Sequence, residues 1–100
     1  MRKHKYNAVQ VERDGFKFGS KREGKRYDEL KLAKRSGECV FFLHQVPFRM
    51  PGSTYWADFM AFWEDGNITI EDTKGFKTSA YKKQKAMMAV HFPIVEIIEI

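Results

Sequence analysis

An acid and a lysine stand in this sequence where core residues are expected. In the stretch "NITIEDTKG", residues 67–75, a strand period of two points Asp72 and Lys74 the same way as Ile68 and Ile70. Burying a charge at the end of a strand costs free energy unless the charge is paired or bound to something. Two interpretations stay open for Asp72 and Lys74: a surface ion pair where the strand leaves the core, or two members of a chemical site.

Asp58 is a second acid in apolar surroundings. It is the only charge in "YWADFMAFW", residues 55–63, and a turn at Asp65 to Asn67 would place its strand beside the strand of Asp72. Two carboxylates on adjacent strands would then lie near each other. The alternative is a buried aspartate that accepts backbone hydrogen bonds, and both interpretations stay open.

Glu23 is a third acid, on the apolar stripe of a predicted helix. Its spacing to Tyr27 and Leu30 puts it on the face that carries those two residues. It also follows Ser20 by three residues, so it is a capping-box partner in the first helical turn, and both roles can hold together. The neighbouring Gly24 costs about 1 kcal/mol relative to alanine in a helix. A close approach of another backbone or a ligand would justify that glycine.

Three carboxylates in a half-buried site would repel one another unless a hard cation lay among them. Oxygen ligands of this kind suit Mg²⁺ or Mn²⁺, which keep several waters and can add a phosphate oxygen. Lys74 would then orient or help deprotonate an attacking water, or stabilise charge on a pentacovalent phosphate. The histidines His4, His44 and His91 lack metal-motif spacing, which argues against a zinc site.

Turn and cap signals divide the chain into short elements. Asp14-Gly15 is a hairpin signal, Gly37 stops the first helix, Pro47 interrupts a strand and Pro51-Gly52 makes a turn. The predicted elements are two hairpin strands within 8–18, a helix over 20–36, strands over 39–50, 54–63 and 67–74, a helix over 78–90 capped by Thr78, and a strand over 94–100. This order predicts one α/β (α+β) domain over residues 1–100, with a small mixed sheet flanked by helices, an N-terminal β-hairpin and a basic arm over residues 1–7. The last helix would make a right-handed crossover to a parallel strand.

Composition and charge narrow the class of partner. Hydrophobic residues make up 43% of the chain, so it is not a disordered charged segment, and no apolar run approaches the roughly 20 residues needed to cross a bilayer. The net charge of +5 is clustered in segments 2–5, 21–26, 31–35 and 74–85, which suggests nucleic acid, although any one cluster is explained by solvated surface. The N-terminus lacks the apolar stretch of a signal peptide and the single Cys39 suits a core position, so a cytoplasmic protein is expected.

The ordered set of motifs resembles the PD-(D/E)xK nuclease superfamily: a helix glutamate, an aspartate on one strand, Asp-x-Lys at the end of the next strand, and a basic helix. Five segments look like a family of small phage and prophage endonucleases: "KYNA" (5–8), "DGFKFGSKREGKRYDELK" (14–31), "HQVPF" (44–48), "YWADF" (55–59) and "EDTKGFKT" (71–78). The resemblance covers most of the chain. The first motif departs from the pattern, since Ala57-Asp58 stands in place of Pro-Asp.

This resemblance implies a restriction-endonuclease-like core and a Mg²⁺- or Mn²⁺-dependent DNA endonuclease. The metal-binding acids would be Glu23, Asp58 and Asp72, with the Thr73 carbonyl as a further ligand and Lys74 as the catalytic lysine. Gln45 would lie near the site, and Gln84 and Lys85 would face the DNA.

The basic clusters add further candidate DNA contacts, which are Lys21, Arg22, Lys77 and Lys82. Glu71 points to the opposite strand face from Asp72 and is expected to be dispensable for the site.

Similar phage proteins are regarded as Holliday junction resolvases that act on branched DNA in recombination or replication, inside a bacterial host cell. A resolvase would be a homodimer, because two active sites are needed to cut two strands symmetrically. Two alternatives stay open. One is a non-catalytic nucleic-acid-binding module on the same fold, against which the intact set of acids argues, and the other is a protein that binds or cleaves RNA.

Overall fold

The computed structural model of the protein describes residues 9–73 and 77–100. Its elements are β1 (Val11–Arg13), β2 (Phe16–Phe18), α1 (Lys21–Ser36), β3 (Cys39–Met50), β4 (Ser53–Trp63), β5 (Ile68–Asp72), α2 (Ser79–His91) and β6 (Ile97–Glu99). The prediction of an α+β fold with a hairpin, two helices and a mixed sheet is confirmed. The predicted arm over residues 1–7 lies outside the described residues, as does Lys74. Of the helices in the described part of the chain, none has the length and apolar character that crossing a bilayer requires.

The first helix, α1, begins and ends at the residues predicted to cap it. The Ser20 hydroxyl accepts a hydrogen bond from the backbone N–H of Glu23 at 3.1 Å, and Gly37 closes the helix with a φ of 90°. Tyr27 and Leu30 are buried on the same side as Glu23, which is 8% exposed. The predicted inward direction of Glu23 is therefore confirmed.

The second helix, α2, leads into a parallel strand as the predicted crossover requires. The Thr78 hydroxyl caps α2 by accepting from the N–H of Tyr81 at 3.0 Å. β6 then pairs with β5 in parallel orientation, residues 97–99 against residues 70–72. The predicted final strand over 94–100 is shortened because β5 offers β6 only this three-residue segment to pair with.

β3 is one continuous strand of 12 residues, so the predicted interruption at Pro47 is wrong. The sheet order is β3-β4-β5-β6, which makes β3 an edge strand. Half of the N–H groups of an edge strand face away from the sheet, so a residue without an N–H is tolerated there. Pro47 stands opposite Trp56 in the antiparallel ladder that β3 forms with β4.

The two helices lie on opposite faces of the four-stranded sheet. On β5, Ile70 packs with Tyr81 and Met88 of α2, whereas the next residue, Glu71, binds Arg26 of α1. Consecutive residues of a strand point to opposite faces, so α1 covers one side and α2 the other. The result is two buried cores, a first core beneath α1 and the hairpin and a second core beneath α2.

Gly24 lies where the hairpin meets α1, and its lack of a side chain is required there. A Cβ atom at this position would lie 2.4 Å from Cγ2 of Val11. The close approach at this glycine is therefore made by a side chain of β1, and not by the backbone or ligand that was expected. We expect Gly24→Ala to lower the free energy of unfolding by up to about 2 kcal/mol, because overpacking costs ~1–3 kcal/mol and the gain in helix propensity is ~1 kcal/mol. Urea unfolding followed by circular dichroism measures the change.

The matched background for this test is Val11→Ala, which removes the methyl group that the new Cβ would strike. In that background Gly24→Ala should be neutral or stabilising, because only the helix-propensity term remains. Equal effects of Gly24→Ala in both backgrounds would show that Val11 is not the obstacle.

Candidate active site

Glu23, Asp58 and Gln45 meet at one point between α1 and the sheet. The side-chain nitrogen Nε2 of Gln45 donates to Oε2 of Glu23 at 3.2 Å and to Oδ1 of Asp58 at 3.3 Å. Both acids are buried, with 8% and 5% of their surfaces exposed. The fold therefore brings together two of the three predicted acids and the predicted glutamine.

The backbone of Gln45 is unusual for a strand residue. Its φ is 56°, in the left-handed region, in the middle of β3. A residue other than glycine held there costs on the order of 1–3 kcal/mol, and such residues cluster at functional sites. Phe42, before it, packs against the first core, and Val46, after it, packs against the second. The two are four residues apart, so a regular strand would point both to the same face. The side chains of β3 thus change from one core to the other around Gln45.

Thr73 anchors the other oxygen of Asp58. The backbone N–H and the hydroxyl of Thr73 each donate to Oδ2 of Asp58 at 2.8 Å. The alternative of a buried aspartate that accepts a backbone hydrogen bond is therefore confirmed. It is compatible with a place in the site, because Oδ1 of the same carboxylate still faces Gln45. The assignment of the Thr73 carbonyl as a metal ligand stays a prediction.

Asp72 lies beside Asp58 on the neighbouring strand. The antiparallel register pairs Phe59 with Glu71, which makes Asp58 and Asp72 the next residues along β4 and β5. Asp72 is 0% exposed, so its interpretation as half of a surface ion pair is wrong. Its Oδ2 accepts a hydrogen bond from the hydroxyl of Tyr55.

Two tyrosines, Tyr55 and Tyr81, interact with the carboxylate of Asp72, and neither was predicted as a site residue. Burial, followed by the hydrogen bond to Asp72, raises the pKa of Tyr55. Burial and the negative charge of Asp72 raise the pKa of Tyr81, which comes from α2. Both hydroxyls therefore remain protonated donors at neutral pH. Residue spacing could not have found them, because it does not connect position 55 or position 81 with position 72.

The donor set suits Mg²⁺ or Mn²⁺ in its chemistry, since all the acids offer hard carboxylate oxygens. Only two of the acids are arranged as metal ligands would be. Glu23 and Asp58 converge on one nitrogen of Gln45, whereas Asp72 is hydrogen-bonded to Tyr55. Across residues 9–73 and 77–100, no three His, Cys, Asp or Glu side chains form a group that could hold a metal ion. The predicted catalytic lysine, Lys74, falls outside these ranges.

Glu71 points away from Asp72, as predicted, and forms a buried ion pair with Arg26. Arg26 Nε donates to Oε1 of Glu71 at 2.7 Å, and Nη2 donates to Oε2 at 2.8 Å. Glu71 is 1% exposed, and its hydrogen bond raises the pKa of Arg26. Glu71 was predicted to be dispensable for the site, and that stays a prediction. For the fold, however, this pair ties α1 to β5.

The predicted DNA contacts on α1 are exposed, while those around α2 are partly engaged. Lys21 and Arg22 in the first turn of α1 are exposed, as is Lys82 on α2. Gln84 instead donates to Ser53 Oγ at 2.9 Å and to the Thr54 carbonyl at 3.0 Å, so its amide binds the start of β4.

Two of the predicted DNA-contacting lysines, Lys77 and Lys85, share one acid as their ion-pair partner. The ammonium groups of Lys77 and Lys85 each lie 2.7 Å from a carboxylate oxygen of Glu99. Their hydrogen bonds lower the pKa of Glu99 to about 2. Lys77 and Lys85 therefore contribute less free positive charge to a DNA surface than the sequence suggests.

The comparisons with known proteins identify a family. Residues 3–100 match the family described as "Protein of unknown function (DUF1064)", and the chain belongs to that family. No curated protein matches the sequence, and no solved structure does.

Proposed function

We propose that this member of the DUF1064 family is a divalent-metal-dependent endonuclease that hydrolyses phosphodiester bonds of DNA. The observation that carries the proposal is the position of Gln45 Nε2, 3.2 Å from Glu23 and 3.3 Å from Asp58. Two carboxylates that converge in a half-buried place repel each other, and a cation bound between them would relieve that repulsion. The left-handed backbone conformation of Gln45 is a second observation that supports a functional role for this residue, because strained residues of this kind cluster at functional sites.

Mg²⁺ or Mn²⁺ would be held by Glu23 and Asp58, with Asp72 and the carbonyl of Thr73 completing the set. When bound, such a cation would supply Lewis-acid chemistry: it would polarise the phosphodiester and lower the pKa of water, so that a deprotonated water is available for attack at neutral pH. The protein supplies orientation. Thr73 fixes one oxygen of Asp58, and Tyr55 fixes one oxygen of Asp72.

Gln45 and Lys74 take the remaining roles. The amide of Gln45 stabilises both Glu23 and Asp58 by donating to each of them. Lys74 would orient the attacking water or stabilise negative charge on the phosphate, as its place two residues after Asp72 predicts. A nucleic-acid substrate is favoured by the net charge of +5 and by the exposed Lys21 and Arg22 one turn or less before Glu23. The choice of DNA rests on the resemblance to the nuclease superfamily.

The finer parts of the proposal rest on the resemblance to small phage endonucleases. They are branched DNA as the preferred substrate, resolution of Holliday junctions in phage recombination or replication, and a homodimer that presents two sites.

A non-catalytic nucleic-acid-binding module is the second candidate, and one observation favours it. The described residues contain no ready group of three metal ligands, and Asp58 and Asp72 each have a structural hydrogen-bond partner. In this case the carboxylates would serve packing, and the exposed cations would contact phosphates.

A cleavage assay separates the two candidates. Purified protein is incubated with labelled four-way junction, flap, nicked duplex, plain duplex and single-stranded DNA, with Mg²⁺, with Mn²⁺ and with a chelator. We expect cleavage only with a divalent metal and fastest on a branched substrate. DNA binding without cleavage of any substrate, with either metal, would reject the nuclease in favour of the binding module.

A further inference from the structure

A groove beside the candidate site is lined by aromatic and basic side chains, which suit a ligand that combines an aromatic ring with negative charge. This hairpin groove lies between the β1–β2 hairpin, α1 and β3, and has a volume of about 410 Å³. Its lining residues are Phe16, Tyr27, Lys31, Lys34, Phe42, Leu43 and His44. A volume of this size accommodates a small ligand and not a duplex.

One wall of the hairpin groove is aromatic and solvent-accessible. Phe16 is 47% exposed although it is a large apolar residue, and its ring centroid lies 4.5 Å from that of His44 at a steep angle. Leu43 is also 47% exposed. Burial lowers the pKa of His44, so its ring is uncharged at neutral pH and acts as part of the apolar wall. An exposed aromatic side chain of this kind is one on which a nucleobase can stack.

Part of the groove lining is basic. Lys31 and Lys34 are one turn apart on α1, and both line the hairpin groove. The ammonium of Lys31 is paired with Asp14 at 2.7 Å and lies 5.9 Å from the Tyr27 ring centroid. Lys34 adds an exposed ammonium within the same groove. A ligand here would meet both an aromatic ring and an ammonium group that can pair with a phosphate.

We propose that the hairpin groove binds an unpaired nucleotide of the DNA strand engaged at the candidate active site. The inference rests on the proposed function, because His44 connects the groove with the candidate site. His44 lines the groove and directly precedes Gln45 in β3. Only an unpaired base can offer its face to Phe16, since the faces of paired bases are covered by their neighbours in a duplex. The groove would thus make the enzyme prefer DNA with single-stranded or displaced nucleotides.

The test is a binding measurement with a fluorescent base, without divalent metal so that no strand is cut. The probes are an oligonucleotide with one 2-aminopurine in an unpaired stretch and the same oligonucleotide fully paired. The wild-type protein should quench the unpaired probe by stacking and bind it more tightly than the paired one. Phe16→Ala should weaken binding of the unpaired probe about tenfold, within the range for loss of one stacked base, and leave binding of the duplex unchanged.

Two further variants sharpen the result. Phe41→Ala removes an aromatic residue that is 42% exposed but stacks on Phe62 outside the groove, and it should change neither affinity. Lys34→Ala should also weaken binding of the unpaired probe and leave binding of the duplex unchanged. Lys34 is exposed, so misfolding would not explain such a loss of affinity. Equal affinities of wild type, Phe16→Ala and Lys34→Ala for the unpaired probe would overturn the proposal, as would a wild type that binds no unpaired probe.

The outcome is separable from that of the nuclease proposal. Metal-dependent cleavage with no effect of Phe16→Ala on binding would reject the hairpin groove and keep the nuclease. Selective, Phe16-dependent binding of the unpaired probe without cleavage of any substrate would keep the groove and reject the nuclease.

Discussion

Replacing Glu23 by glutamine should reduce metal-dependent DNA cleavage by on the order of 100-fold to 1,000-fold, the range for loss of one electrostatic group from an active site. The substitution removes a charge and little else. The side-chain oxygen of a glutamine can still accept from Gln45 Nε2, and the capping bond of Ser20 uses the backbone N–H of residue 23. The measurement is the single-turnover cleavage rate on the best branched substrate, with urea unfolding to show that the fold is retained.

The matched control is Glu29→Gln on the same helix. Glu29 is half exposed and pairs with Arg26 at 3.0 Å, away from Gln45. Glu29→Gln should lower the cleavage rate less than threefold, because Glu29 contacts no site residue. The loss of its exposed ion pair should lower the free energy of unfolding by at most ~1 kcal/mol. Cleavage by Glu23→Gln at the wild-type rate would remove Glu23 from the site.

Removing Arg26 should destabilise the protein more than any other single change considered, by about 3–5 kcal/mol, because it leaves a buried carboxylate without its partner. Glu71 has a side chain that is only 2% exposed, and both of its oxygens accept from Arg26. Arg26→Met keeps the length and the apolar stem of the side chain while removing the guanidinium. Urea unfolding gives the free energy directly.

The comparison variants separate charge from packing. In Arg26→Met/Glu71→Leu the buried charges are both removed and the half-exposed Glu29 loses its ion pair with Arg26, so most of the lost stability should return. Arg13→Met breaks the Arg13–Asp28 pair, whose side chains are 41% and 51% exposed, and should cost less than about 1 kcal/mol. If Arg26→Met cost no more than Arg13→Met, the buried pair would have no special role in holding α1 on β5.

Local chemistry made the element boundaries predictable. Ser20, Gly37 and Thr78 cap helices by bonds to groups within a few residues, and the Asp14-Gly15 turn has the positive φ values, 53° and 83°, that its residue types favour. Such signals depend on neighbours in sequence, so no tertiary information is needed. Pro47 was misjudged because its tolerance depends on β3 lying at the sheet edge, which only the strand order determines.

The site was predictable in part for the same reason. The turn at Asp65 to Asn67 predicts that the strands of Asp58 and Asp72 lie side by side, and the helix period turns Glu23 inward. The partners of these acids were not predictable. Tyr55 reaches Asp72, and Thr73 reaches Asp58, across the gap between two strands whose relative register is set by the whole sheet. The Arg26–Glu71 pair spans a helix and a strand, and neither residue has a motif that points to the other.

The edge position of β3 has a consequence for how copies of this protein meet. A long free strand edge is a template on which another chain can pair, and it promotes aggregation unless it is interrupted. Here Pro47 lacks the N–H that such pairing would use, and the neighbouring Gln45 turns the backbone out of the extended conformation. These two residues hinder pairing of another chain along the middle of β3, so a proposed homodimer would have to use another surface, such as the opposite sheet edge at β6.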